Sequence, residues 1–144
     1  MIAVDTNVLL RYLLQDDKSQ SSKANKLFSS ENKILITDVV LCETVWILKG
    51  KRYKLQKEDL LQVISQLFKE PNLEFEDGQS VWRALNIYRT IELIKVGSKK
   101  KDVDFSGILI LEKSKSIISK KDVSFDGLYS FDKAAQQIDN ILNP

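Results

Sequence analysis

Met1-Ile2-Ala3-Val4-Asp5-Thr6-Asn7-Val8-Leu9-Leu10 opens the chain, and its reading decides the fold. Ile2-Ala3-Val4 is too brief for a helix and suits a buried strand that stops at Asp5. The leucine-dense residues 8–14 predict a helix directly behind it. The same alternation recurs further on. Residues 17–30 predict a helix with Ala24, Leu27 and Phe28 on one stripe, and Ile34-Leu35-Ile36 predicts a second strand. Thr37 is placed to cap a helix over 38–48. Residues 56–69 put Leu60, Ile64, Leu67 and Phe68 on one face before Pro71 stops the helix. Residues 73–75 predict a strand, and 77–93 a helix carrying Val81, Ala84, Leu85, Tyr88 and Ile91. A lysine-rich break, a helix over about 104–115, a strand over 128–131 and a closing helix over 133–142 complete the order. Short strands alternating with helices predict an α/β fold, a parallel β-sheet flanked by helices on both faces.

No repeat, low-complexity tract or linker interrupts this order, so residues 1–144 are expected to form a single domain. A chain of that size buries roughly 68–70% of the surface it exposes when unfolded. The net charge is +2, with 22 basic and 20 acidic residues. The only local excess falls in residues 98–121, where seven lysines face three acids. A solvated loop and helix face accounts for such a run, and so does contact with phosphates.

The small counts exclude more than the large ones. Without histidine there is no Ser-His-Asp or Cys-His nucleophile and no His-ligated zinc or iron site. One cysteine makes no internal disulfide, which suits a reducing cytoplasm. Glycines at 50, 78, 97, 107 and 127 match neither a dinucleotide fingerprint nor a phosphate-binding loop. No stretch reaches 18 apolar residues, and the N-terminus lacks the charged-then-apolar layout of a signal peptide, so no membrane association or export is expected.

The chemistry is therefore left to carboxylates. Asp5 ends the first strand, and Asp132 ends the strand predicted to finish at Phe131. In open α/β sheets ligands bind beyond the carboxyl ends of the strands, so two such acids on one sheet edge can converge. Each equally suits the cap of the following helix. Glu43 sits in Val39-Val40-Leu41-Cys42-Glu43-Thr44-Val45-Trp46-Ile47-Leu48, a helix expected to be buried all round. A carboxylate there costs several kcal/mol unless it ligates a metal or pairs with a lysine or Arg52. Asp104 opens the late helix, where an acid is also stabilising on its own by roughly 0.3–1 kcal/mol. Carboxylates without histidine suit Mg²⁺ or Mn²⁺, hard cations whose characteristic chemistry is phosphodiester hydrolysis.

The three stretches 1–12, 39–48 and 128–133, carrying Asp5-Thr6-Asn7, Glu43-Thr44 and Ser130-Phe131-Asp132, strongly resemble PIN-domain proteins, and most closely the VapC-like toxins of prokaryotic toxin–antitoxin pairs. The resemblance implies a PIN-like domain and a Mg²⁺- or Mn²⁺-dependent endoribonuclease acting on RNA, blocked by a small antitoxin protein. PIN toxins often dimerise, so a homodimer is among the implied assemblies. Carried over residue by residue, the acidic pocket comprises Asp5, Glu43 and Asp132, with Thr6, Asn7 and Ser130 in support. Lys99, Lys100 and Lys101 are candidates for holding the RNA backbone.

The third acid departs from the family pattern. Where the family has a second Asp, the stretch Asp104-Phe105-Ser106-Gly107-Ile108 has Gly107, and Asp104 lies one helical turn before it. Helix propensity does not explain the glycine, which costs up to about 1 kcal/mol against alanine. Asp104 is the candidate substitute. The competing expectation is a PIN fold with impaired catalysis, acting as an RNA- or antitoxin-binding module. Phosphotransfer on an aspartate after a strand, as in haloacid-dehalogenase-like hydrolases, needs a second Asp two positions on, where this chain has Asn7.

Overall fold

Parallel strands cannot be joined by a tight turn, so each pair needs a crossover, and the first half of the chain supplies two. The computed structural model describes residues 1–144 and divides into two compact units, Met1–Gly78 and Gln79–Pro144. In the first unit β1 (Ile2–Ala3) leads into α1 (Thr6–Leu14) and α2 (Lys18–Phe28), which return the chain to β2 (Ile34–Ile36). α3 (Asp38–Lys49) and α4 (Lys57–Leu67) then return it to β3 (Leu73–Phe75). The strands pair in the order β1-β2-β3, all parallel, with Ile2 opposite Ile34 and Ile34 opposite Leu73. Central strand β2 is apolar throughout, and Ile34 and Ile36 are fully buried, as a covered parallel strand requires.

The cap forecast at Thr37 is in place, and Asp17, forecast as the first residue of its helix, proves to be a second cap. Thr37 accepts from the Val40 N–H at 3.3 Å at the start of α3. Asp17 accepts from the Gln20 N–H at 2.8 Å at the start of α2. Each helix turns its apolar stripe inward: Leu9 and Leu10, Ala24 and Phe28, Leu41, Val45 and Leu48, and Leu60, Ile64 and Leu67 are all buried. Tyr12 stacks on Phe28 at 3.9 Å, and its hydroxyl donates to Glu70 at 2.8 Å. Burial and that carboxylate push the Tyr12 hydroxyl up to about 12.

The turn between α1 and α2 is held by charge. The Arg11 guanidinium hydrogen-bonds the Asp16 carboxylate, whose other oxygen accepts from the Tyr53 hydroxyl at 3.1 Å. Arg52 approaches the same carboxylate at 3.9 Å and lies 5.2 Å from the centre of the Tyr53 ring.

The second unit begins with α5 (Gly78–Thr90), whose first residue closes the unit before it. Then come β4 (Ile94–Val96), β5 (Lys99–Lys101), α6 (Phe105–Ser119), β6 (Leu128–Tyr129), a single 3₁₀ turn (Ala135–Gln137) and β7 (Ile141–Leu142). Val81, Ala84, Leu85 and Tyr88 of α5 and Phe105, Ile108, Leu109 and Leu111 of α6 are buried, with the Tyr88 and Phe105 rings edge to face at 5.7 Å.

Three forecasts fail in this unit. The lysine-rich break is a β-hairpin: β4 and β5 pair antiparallel, Val96 opposite Lys99, around Gly97-Ser98 with Gly97 at φ +64°. Lysine-only β5 is exposed on every residue and so lacks the alternation that marks a strand. The strand over 128–131 ends at Tyr129. The helix over 133–142 does not form. Asn140 at φ +71° turns the chain, and Ile141-Leu142 pair in parallel with Leu128-Tyr129. Leu142 approaches so closely that a Cβ on Gly127, at φ +123°, would lie 2.8 Å from it, so residue 127 must be glycine for this ladder to close.

Arg11's hydrogen bond, opposed by desolvation and helped by Tyr53, holds the Asp16 carboxyl below its ordinary value. A depressed carboxyl stabilises the fold above the unfolded value, about 3.9, and the gain is lost as pH falls through the folded value. Urea midpoints should therefore place wild type above Asp16→Asn at pH 7, with the gap closing below about pH 4. A gap independent of pH would contradict the pairing.

Candidate active site

β1 runs out at Val4, which is buried, and Asp5 takes an extended conformation that starts α1. Its Oδ1 accepts from the Val8 N–H at 2.9 Å, so Asp5 does cap the helix. The cap uses one carboxylate oxygen and leaves the side chain exposed. Thr6, the first helical residue, is buried, and its hydroxyl donates to Oε2 of Glu43, 37 residues further on. Two carboxylates are thereby brought to the N-terminus of α1: Asp5 by chain continuity, Glu43 through Thr6. Asn7 is exposed beside them.

The environment of Glu43 differs from the sequence expectation. α3 is not buried all round, because Val39 is 74% and Trp46 73% exposed and Glu43 lies between them on the same open face. Positions 39, 43 and 46 fall at i, i+4 and i+7, opposite the inward stripe of Leu41, Val45 and Leu48. The apolar composition of the helix concealed this division. Glu43 is thus no buried charge in need of rescue, and its partner is the Thr6 hydroxyl rather than a lysine or Arg52.

In the second unit Asp104 occupies the N-cap position of α6 and is exposed. Gly107 follows one turn later, and a Cβ placed there meets nothing within 4 Å. Packing therefore does not demand glycine at 107 any more than propensity does. Asp132 does not follow a strand of the sheet that Asp5 follows: it lies three residues beyond β6 of the two-stranded β6–β7 ladder, whereas Asp5 lies beyond β1 of the three-stranded sheet. Asp132 Oδ1 accepts from Lys101 Nζ at 2.8 Å and from the Ala134 N–H at 3.0 Å. Partial burial pushes the Asp132 carboxyl up, but Lys101 and the backbone N–H groups of Ala134 and Ala135 outweigh it and hold the group below its ordinary value. Ser130 stands in support, its Oγ accepting from the Asp132 N–H at 3.1 Å.

The sequence named Lys99, Lys100 and Lys101 together, and the hairpin separates them by role. Lys99 and Lys100 are exposed, while Lys101 is committed to Asp132. Sequence reasoning missed the hairpin, although Gly97-Ser98 between two three-residue runs was a readable signal for it.

Hard oxygen donors suit a hard divalent cation, and Asp5 and Glu43, both exposed, fit such an ion in kind. Within neither unit do three or more ligating side chains gather around one point. In Asp132 an ammonium already holds the carboxylate.

Residues 2–102 match the family model of the PIN domain, and this chain belongs to that family. The match takes in Asp5, Thr6 and Glu43 and ends before Asp104, Gly107 and Asp132. PIN domains are in general nucleases that depend on divalent metal. No curated protein matches the sequence. No helix is long and apolar enough to cross a membrane.

Thr6→Val keeps the shape of the side chain and removes its hydroxyl. The variant should lose about 1.5–3 kcal/mol of stability in urea unfolding, the usual net value of a hydrogen bond to a charged group, and Thr6→Ser should recover it. Equal stability of wild type and Thr6→Val would show that the hydroxyl does not hold Glu43.

Proposed function

We propose that this chain is a metal-dependent endoribonuclease that hydrolyses RNA phosphodiesters with Mg²⁺ or Mn²⁺, the toxin of a cytoplasmic toxin–antitoxin pair, working as one PIN-like domain over residues 1–144. The observation that carries the reading is the Thr6–Glu43 hydrogen bond, which sets Glu43 beside Asp5 at the start of α1 in a member of a nuclease family. Asp5, Glu43, Asp104 and Asp132 are the carboxylates on which cleavage depends. Asp5 and Glu43 would hold the ion, which when bound supplies Lewis-acid activation of water and neutralises charge at the phosphodiester.

The protein's own groups then have limited tasks. Thr6 orients the Glu43 carboxylate and leaves its other oxygen for ligation. The Val8 N–H fixes the Asp5 side chain in the same way. Ser130 steadies the backbone at Asp132. Lys99 and Lys100, exposed on β5, attract the RNA backbone by charge. Support for a protein partner, a small antitoxin or a second copy of the chain, comes from the two large apolar side chains that α3 exposes, Val39 and Trp46.

A second reading, a PIN fold with impaired turnover that serves as a binding module, is favoured by two observations. Gly107 stands where the resemblance implies an acid, and Asp132 is engaged by Lys101.

Single-stranded RNA incubated with Mn²⁺ should be cut by wild type, and Asp5→Asn should lower the rate by at least about 100-fold. Asparagine caps a helix as well as aspartate does, so the loss will not come from unfolding. Equal cleavage by wild type, Asp5→Asn and an EDTA-treated sample would refute the enzyme. Gly107→Asp separates the two readings, since the open space at 107 admits the side chain. An inert wild type together with a cleaving Gly107→Asp identifies a degraded enzyme. A wild type that already cleaves and is silenced by Asp104→Asn gives Asp104 the missing role.

A further inference from the structure

A cavity of about 330 Å³ opens beside Asp5 between α1 and α2. Its apolar wall is made by Val8, Ala24 and Leu27. Asn7, Gln20 and Lys23 line it as well. None of these three side chains is used by the fold, and each is exposed.

The charges settle what the cavity can hold. Arg11 also lines it, with its charge paired to Asp16 through Nη1 and its buried Nε without a hydrogen-bond partner. Lys23 therefore supplies the uncommitted positive charge. Two carboxamides carry both donors and acceptors and so suit the mixed edge of a heterocycle. An apolar wall suits the face of a flat ring, and an ammonium suits a phosphate as a point charge. The volume lies at the low end of what small organic ligands occupy, enough for one nucleotide.

We infer that this cavity is a nucleotide subsite. It takes one base against Val8, Ala24 and Leu27, reads the base edge with Asn7 and Gln20, and holds the attached phosphate with Lys23. Because Asp5 forms its rim, the bound nucleotide is the one adjoining the phosphodiester that is cut; that last assignment rests on the nuclease reading, whereas nucleotide binding does not. The subsite makes Gln20 a specificity residue on α2, an element without any of the candidate acids.

The test uses the full chain and the four nucleoside 5′-monophosphates, followed through the side-chain amide signals of Asn7 and Gln20 in ¹⁵N NMR spectra. At least one monophosphate should shift both signals saturably, while ribose 5-phosphate and inorganic phosphate should not reproduce the shifts. Gln20→Ala should weaken that binding about tenfold, the usual worth of a good base-edge contact, and Lys23→Glu should weaken binding of all four alike. The Gln20 backbone N–H meets Asp17, so the alanine variant keeps the helix cap. The inference is overturned if no monophosphate shifts these signals, if inorganic phosphate alone reproduces them, or if Gln20→Ala binds like wild type. RNA cleavage is assayed on the same samples. Cleavage without monophosphate binding removes the subsite and leaves the nuclease, and binding without cleavage does the reverse.

Discussion

The hydrogen bond from Thr6 to Glu43 is the constraint on which the functional geometry of the first unit depends. It is charge-assisted, a class roughly twice as strong as a neutral pair. Thr6 is buried at the first turn of α1, where a hydroxyl needs a partner. The partner it finds is a carboxylate on the open face of α3, so the start of one crossover is tied to the middle of the next. Asp5 is fixed separately, by its own helix cap. Two acidic groups are thus oriented by neighbours that each take one oxygen, which leaves both groups able to bind something else.

The second unit treats its acid differently. Asp132 receives an ammonium and backbone N–H groups, the arrangement of a carboxylate that stabilises structure. Lys101 comes from the β4–β5 hairpin, so the pair also anchors that hairpin to the segment after β6. Any cation that binds Asp132 competes with a covalently tethered one. Gly107, one turn after Asp104, leaves open space beside its helix.

The fold was legible wherever local chemistry and tertiary packing agree. Thr37 marks its helix because an N-cap is a local interaction, and Ile34-Leu35-Ile36 marks its strand because a central parallel strand is apolar throughout. Errors arose where a long-range contact decided. Residues 133–142 carry Ala-Ala-Gln-Gln, favourable for helix, yet pairing of Ile141-Leu142 with β6 prevails, because a helix of that length is marginal alone. Lys99–Lys101 hid a strand because all three residues face solvent. Among site residues, Asp5, Thr6 and Glu43 were legible as a motif, but the exposure of Glu43 was not, since composition does not reveal which face of an apolar helix is left open. Lys101 as the partner of Asp132 was beyond reach, because the two are 31 residues apart.

The central claim is that Asp5 and Glu43, set by Thr6, receive a divalent ion. Substoichiometric Mn²⁺ added to the ¹⁵N-labelled chain tests it directly, since a bound paramagnetic ion broadens the amide signals around it. The account predicts selective loss of the signals of Asp5, Thr6, Asn7 and Glu43. Unchanged signals at those four residues, or broadening confined to other surface acids such as Glu58 and Asp59, would contradict it.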